Sequence, residues 1–258
     1  MGSYSQQERI FRLKTPLETT ELLIEGFSGT EELSSLYEFK LRLLCEAKDV
    51  DAKKLLRKPV TIFLKLDDGT ERHFHGIINS FRQEGEFQQD LILYHATVVP
   101  KLWLLTLNSD CRIFQDKTVV EIVKALLDEA GIKDYRVATT GTYDKREYCV
   151  QYRESTFNFI SRLLEEEGIF YFFEHEEKKH TIVFADQSSA RSEVTKHKGG
   201  VVMTSASGFT RNKKDGIQSV ERIEQVHVTK VALTDYDFEK PKLNLLVSQQ
   251  AKQPDSEE

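Results

Sequence analysis

Tyr148-Cys149-Val150-Gln151-Tyr152-Arg153-Glu154-Ser155-Thr156-Phe157-Asn158-Phe159-Ile160-Ser161-Arg162-Leu163-Leu164-Glu165-Glu166-Glu167-Gly168-Ile169-Phe170-Tyr171-Phe172-Phe173 reads as a strand, a capped helix, a glycine stop and a second strand. Tyr148 to Tyr152 alternates aromatic with small or polar residues, the pattern of a half-buried strand. Ser155 offers its hydroxyl to the free amides of the helix that follows. Phe157, Ile160, Leu163 and Leu164 fall three or four apart on one apolar face, and Phe159 widens that stripe at its flank. Gly168 stands where a left-handed residue closes a helix. Ile169 to Phe173 is too short and too aromatic for another helix and reads as a buried strand. Glu165, Glu166 and Glu167 lie at the negative end of the helix dipole, where each acid costs about a few tenths of a kcal/mol. Either they solubilise the outer face of a helix with a greasy inner face, or they offer an acidic surface to a partner.

Upstream of this stretch, a second helix carries a full set of signals. Thr118 and Glu121 form a capping box, Val119, Ile122, Val123, Leu126, Leu127 and Ala130 keep one face apolar, and Gly131 ends it. Ahead of it come an apolar cluster, Trp103, Leu104, Leu105 and Leu107, and a short extended link, Arg112 to Phe114. Downstream, Ile169–Phe173 is predicted to pair with Thr181–Ala185 as a hairpin. Residues 101–190 are therefore expected to form an α/β domain with two helices and a hairpin.

Residues 1–100 read as β structure. Glu21 to Gly29 and Tyr37 to Leu43 are strand patterns, the second alternating apolar and charged without a fault. Asp49-Val50-Asp51 caps a short helix, Ala52 to Leu56, which Pro59 helps to end. Val60–Leu66 and Glu71–Phe81 are joined by Asp67-Asp68-Gly69-Thr70, and an Asp-Gly pair between alternating runs signals a hairpin. A turn from Gln83 to Asp90 leads to a last strand, Leu91–Val99. Strands with short turns favour a barrel, because closure removes exposed edges.

Beyond Asp186 the chain loosens into Ser, Lys and Gly. Val201–Met203 and Gly208–Arg211 are short strand candidates, and Gln218 to Leu233 reads as a long exposed or edge strand. Ser248 to Glu258 is polar and expected to be disordered. The fold class that results is α+β, mainly β.

The run from Glu147 to Phe173 closely resembles the most recognisable stretch of the VgrG family, spike-tip proteins of the bacterial type VI secretion system whose N-terminal half resembles the baseplate hub of contractile phage tails. Trp103-Leu104-Leu105, Cys111-Arg112-Ile113-Phe114-Gln115, Thr118-Val119-Val120-Glu121-Ile122 and Ala232-Leu233-Thr234-Asp235-Tyr236-Asp237-Phe238-Glu239-Lys240-Pro241 resemble that family in the same order. The resemblance implies a β-barrel-like tube domain over residues 1–100, the α/β domain over 101–190, a partial second barrel-like domain over 191–247, with Leu243 to Val247 in its beginning, and a disordered tail over 248–258. It also implies a homotrimer whose barrels match a hexameric Hcp tube, effector proteins as further partners, and a structural role. The protein would rest in the bacterial cytoplasm before firing and then leave through the type VI apparatus. The residues up to Glu258 supply neither the remaining strands of the second barrel nor a needle, so the sequence reads as a piece of a longer chain or a natural fragment.

Bulk properties agree with a soluble structural part. A net charge of −6 argues against nucleic acid or an anionic membrane as the main partner, since both select basic surfaces. No apolar run approaches the ~18 residues of a membrane span. Met1 to Glu8 lacks a basic region and an apolar core, which predicts no secretory signal peptide. Cys45, Cys111 and Cys149 are too widely spaced for a disulfide framework or a Cys-x-x-Cys metal site and are expected to be small buried thiols.

The search for chemistry assigns no catalytic, cofactor-binding or metal-binding residue. His175 and His180 are five apart in a hairpin rather than four apart on a helix, unlike a zinc-protease motif, and read as a solvated turn. His73 and His75 lie on one side of a strand, with His95 on a neighbouring strand, and such a pair is more often a surface stripe than a metal site. Gly26-Phe27-Ser28-Gly29 lacks the lysine of a phosphate loop, and Ser207-Gly208 is not set in a nucleophile elbow. Asp67-Asp68 and the Asp235/Asp237 pair read as turn residues. Lys213-Lys214 is too small a basic spot for nucleic acid. The alternatives are an effector-bearing toxin or envelope hydrolase, and a sugar- or peptide-binding β module.

Overall fold

The computed structural model describes residues 4–6, 9–17, 22–66, 68–87, 90–190, 217, 219–224, 226 and 228–250. The chain divides into two compact units, and everything from the first strand through the hairpin that ends at Ala185 lies in the first.

The N-terminal strands are β1 (Phe11–Lys14), β2 (Leu23–Thr30), β3 (Glu38–Cys45), β4 (Pro59–Lys65), β5 (Glu71–Glu86) and β6 (Ile92–Val99). They form one six-stranded sheet in the order β1-β4-β5-β6-β3-β2, with every pair antiparallel. Register shifts at Ile78/Ser80 and Gln83/Gly85 on β5, and at Ile24/Gly26 on β2, are the devices that curl a sheet. The inner face buries Tyr37, Phe39, Leu41, Ile62, Ile78, Tyr94 and Val98, each worth roughly 1.5–3 kcal/mol of apolar burial.

Closure differs from the expected barrel. The outer strands β1 and β2 are not hydrogen-bonded neighbours; their seam is filled by side chains, with the Phe11 and Phe27 ring centroids 5.6 Å apart. The sheet is a curled half-barrel. β5 also runs on to Glu86 where a turn from Gln83 is expected, because its bulges break the alternation without ending the strand. The short helix after Asp51 is a single turn, Ala52–Lys54, capped by the Asp51 carboxylate on the Lys53 amide at 3.0 Å.

Gly76 lets β5 approach the β6 backbone closely. A Cβ there would lie 2.6 Å from Val98 Cγ1 and 2.7 Å from the Val99 carbonyl.

After a helical turn, Lys101–Thr106, come β7 (Ser109–Phe114), α1 (Val119–Glu129), β8 (Tyr135–Ala138), β9 (Cys149–Ser155), α2 (Thr156–Glu166), β10 (Phe170–His175) and β11 (His180–Ala185). The capping box of α1 is complete: Thr118 Oγ1 accepts from the Glu121 amide, and the Glu121 carboxylate accepts from the Thr118 amide. On α2, Ser155 caps the Asn158 amide at 3.1 Å, and Gly168 adopts φ 68° at its end. Phe159 rather than Phe157 leads the buried stripe, with Ile160, Leu163 and Leu164; Phe157 is only partly buried.

The hairpin β10–β11 forms as expected, but β11 also pairs in parallel with β8, a strand too short to read from the sequence. β9 pairs with β7 as a separate two-stranded ribbon. Helices α1 and α2 cover the sheet face carrying Tyr171, Ile182 and Phe184.

In the second unit, β12 (Lys230–Leu233) pairs with β13 (Val247–Gln250). The long strand expected from Gln218 is confined, among the described residues, to Lys230–Leu233, because the alternation of valines with charges upstream finds no strand beside it. Ser248 to Gln250, expected in a disordered tail, belong to β13. The strand candidates Val201–Met203 and Gly208–Arg211, together with Asp67, Ser207-Gly208, Lys213-Lys214 and residues 251–258, lie outside the described residues.

Candidate functional site

The half-barrel and the α/β layer meet at three histidines. His75 comes from β5, while His175 and His180 are the last register pair before the β10–β11 turn. The loop Glu176–Lys179 is thus solvated, but the two histidines that bracket it are not. His75 and His180 are each 4% exposed, and the His175 side chain 8%. The expectation of a solvated His175–His180 turn is corrected accordingly, since residues opposed just before a hairpin's turn can face whatever the hairpin packs on.

The joint is wired through both ring nitrogens of His175 and His180 and through the Nδ1 and amide of His75. The Lys101 amide donates to His180 Nε2 at 3.0 Å, the two Nδ1 atoms of His180 and His75 lie 2.9 Å apart, and the His75 amide donates to His175 Nδ1 at 3.1 Å. His175 Nε2 meets Glu31 Oε1 at 3.0 Å. These donors fix the tautomers. His180 Nε2 accepts, so its proton sits on Nδ1 and is donated to His75 Nδ1. His175 Nδ1 accepts, so its proton sits on Nε2 and is donated to Glu31. Burial first, then the neighbouring histidines and Lys101, hold His75 down to about 4 and His180 to about 3. The hydrogen bond from His175 lowers the Glu31 carboxyl below its usual range.

Further contacts brace the same joint. The Tyr37 hydroxyl donates to the His75 carbonyl at 2.7 Å, and its ring meets Phe173 edge-on at 4.8 Å. Thr61 Oγ1 donates to the Glu177 carbonyl at 2.6 Å. Ser34 closes the free edge of β10, its amide donating to the Tyr171 carbonyl at 2.8 Å and its hydroxyl accepting from the Tyr171 amide at 3.4 Å.

The other residues singled out from sequence are dispersed. His73 packs edge-on against Phe63, and His95 pairs with Glu84. Among the described residues, no set of three His, Cys, Asp or Glu side chains is arranged to hold a metal ion. Asp68 and Asp237 accept turn amides. Cys45 and Cys149 are buried, but Cys111 is exposed, a correction to the expected buried thiol.

The acidic end of α2 has a local explanation that spacing did not reveal. Arg146 reaches Glu166 at 2.6 Å and Glu167 at 2.8 Å, and Arg162 holds Glu154 at 2.8 Å and the Val150 carbonyl at 2.6 Å. Arginines supply the counter-charge that the helix dipole withholds.

One face of the β7–β9 ribbon is apolar yet faces water. Ile113, Tyr148 and Tyr152 are each more than half exposed, and Cys111 stands opposite Tyr152 in the register. In the second unit Val226, Val228, Leu233, Tyr236, Phe238 and Val247 are likewise exposed. Water-facing apolar side chains grouped in this way mark surfaces made for contact.

A curled sheet braced by an α/β layer, with contact faces left open, is the architecture of a tail-hub protein. The chain belongs to the phage tail baseplate hub (GPD) family, whose pattern matches residues 30–258. Among curated proteins it is similar to the type VI secretion system spike protein VgrG1b of Pseudomonas aeruginosa, 37% identical over 243 residues that make up 94% of this chain and 32% of that protein. Among solved structures it is similar to an Escherichia coli component of the type VI secretion system described as resembling two T4 bacteriophage tail proteins (27% identity, TM-score 0.65, covering 70% of this chain and 51% of that one). A tail protein of Neisseria meningitidis MC58 shares the fold at 13% identity, with TM-score 0.61 over 95% of this chain and 68% of that one. The chain spans about a third of the length of the curated relative.

Proposed function

We propose that this chain is a structural hub of a type VI secretion spike and performs no bond-making chemistry. The family match over residues 30–258 carries the reading. The half-barrel, the α/β layer and the open apolar faces suit a part that works by fit. The domain organisation we infer is a first tube domain over 1–100, an α/β domain over 101–190 and the start of a second tube domain from 191 onward. Three copies of two such barrels would present a pseudo-sixfold ring to a hexameric Hcp tube, adapting it to a threefold spike. Effector proteins would travel with the assembly, from the cytoplasm before firing to the target cell or medium afterwards. Among the described residues no helix is long and apolar enough to cross a membrane.

The test is the mass of the encoded protein in solution by multi-angle light scattering, together with its binding to assembled Hcp rings. A trimer that saturably captures Hcp rings is expected. A concentration-independent monomer that ignores Hcp and cleaves cell-wall material would overturn the reading in favour of an envelope hydrolase.

A further inference from the structure

We propose that the His75, His175 and His180 chain is an acid-opened latch: it holds the half-barrel to the α/β layer while His75 and His180 are neutral, and proton uptake by these two parts the layers before either unfolds.

The first support is the way apolar burial is distributed. The half-barrel and the α/β layer have separate cores, and among the described residues Phe173 is the one side chain packed against both; Leu36, just before β3, adds to the α/β core from the half-barrel's side. Beside Phe173 the joint carries the Tyr37, Phe39 and Phe74 rings of the half-barrel packed on His175 or His180, and its other contacts are polar: the histidine chain, Glu31, Thr61 to the Glu177 carbonyl, Ser34 to Tyr171, and an exposed Lys14–Glu177 ion pair. Each core therefore keeps most of its own burial when the joint opens, which is the condition for local separation ahead of global unfolding.

The second support is proton counting. Each acceptor nitrogen in the chain already faces an N–H. A proton added to His180 must go on Nε2, against the Lys101 amide. One added to His75 goes on Nδ1, against His180 Nδ1–H. Sliding the proton from His180 Nδ1 toward Nε2 only moves the clash to Lys101. An extra proton thus replaces a hydrogen bond by two opposed donors in a buried site, where an unmet donor is expensive.

The charges around the chain do not rescue it. Lys101, beside His75 and His180, opposes protonation, and Asp134, ahead of β8, favours it at His75. Glu31 faces His175 and is shared with Arg72 of β5. The Tyr37 phenol is buried and stays neutral. Two cations and two anions roughly cancel, so burial and donor conflict decide. Released histidines titrate near 6.5, whereas in place His75 is held to about 4 and His180 to about 3. The open form therefore binds more protons below 6.5, and the latch weakens progressively as pH falls through that window.

The chain contains a built-in reporter. Its single tryptophan, Trp103, lies in the helical turn whose first residue, Lys101, donates to His180. The full chain is titrated from pH 7.5 to 3.5 while Trp103 emission and far-UV circular dichroism are followed. The latch requires a reversible change in Trp103 emission at higher pH than the loss of secondary structure; loss of both signals in one coincident step overturns it.

A second arm uses His75→Asn, whose side-chain oxygen still accepts from His180 Nδ1–H but takes up no proton. Its emission midpoint is expected to fall by about one pH unit, while His73→Asn, a histidine outside the chain, leaves the midpoint in place. An unmoved midpoint in His75→Asn also overturns the latch. Should that variant fail to fold, the wild-type titration decides alone. All readouts come from the single chain, so they stand whether or not it assembles with Hcp.

Discussion

Gln6 caps the outer edge of β1 through Leu13. Its Oε1 accepts from the Leu13 amide at 2.6 Å, and its Nε2 donates to the Leu13 carbonyl at 3.3 Å. A side-chain amide here stands in for a peptide group and denies the edge of the sheet to other chains. Gln6→Ala is expected to lower stability by about 1–2 kcal/mol and to raise light scattering at equal concentration, as followed by urea denaturation and by scattering on warming. A variant with an unchanged midpoint and no added scattering would show that the seam is protected by Phe11 and Phe27 alone.

Arg146 is the residue that makes three successive glutamates tolerable at the end of α2. It pairs with Glu166 and Glu167 together, and its side chain is 25% exposed. Arg146→Met keeps the aliphatic stem and removes the charge. We expect roughly 1–2 kcal/mol of destabilisation, more than a lone surface pair because two carboxylates are released at a negative helix end. Glu165→Gln, which removes an acid that Arg146 does not reach, should be neutral or stabilising by about a few tenths of a kcal/mol. Thermal melts at low and high salt separate the two, since the Arg146 effect shrinks with salt.

Local signals in the sequence carried much of this fold, and long-range ones did not. The capping box of Thr118 and Glu121, the Ser155 cap, the Gly168 stop and the Phe170–Ala185 hairpin depend on neighbours within a few residues, and all were legible. The parallel pairing of Tyr135–Ala138 with Ile182–Ala185 was not, because four residues give too little alternation and the partner lies far along the chain. The histidine joint failed for a related reason. A period of two places His73 and His75 on one side of β5 but does not say that the β10–β11 hairpin will cover His75 and leave His73 against Phe63. Arg146 was hidden likewise: a charge in a polar loop looks solvated until the fold brings a helix end beside it.

Gly76 is required by distance. It pairs with Val60 across the sheet, and Val98, Val99 and the Tyr37 hydroxyl crowd the space a side chain would take. Gly76→Ala forces its methyl against the Val99 carbonyl, a backbone atom that moves only if β6 moves. A loss of roughly 1–3 kcal/mol is expected, as for other overpacked cores. Because the Tyr37 hydroxyl donates to the adjoining His75 carbonyl, the variant should also disturb the joint. Gly76→Ala with wild-type thermal stability would mean that β5 and β6 separate more easily than their register implies.

Glu31 gives the joint a pH dependence opposite in origin to that of the histidines, and the two can be separated. Its carboxylate accepts from His175 Nε2 and lies 3.7 Å from Arg72, so its folded pKa is lowered below the ordinary value. A carboxyl lowered on folding adds stability that is fully present above its unfolded pKa, near 4.5, and fades as pH falls through the lower folded value. Glu31→Gln keeps an oxygen for His175 but loses the charge. The stability difference between wild type and Glu31→Gln should therefore be constant from neutral pH down to about 5 and shrink toward zero below it. The contributions of His75 and His180 are common to both proteins and cancel in that difference, so its decline reports Glu31. Chemical denaturation of both proteins at closely spaced pH values measures it directly. A difference that stays constant down to about pH 3.5 would show that the Glu31 charge carries none of the pH dependence of the joint.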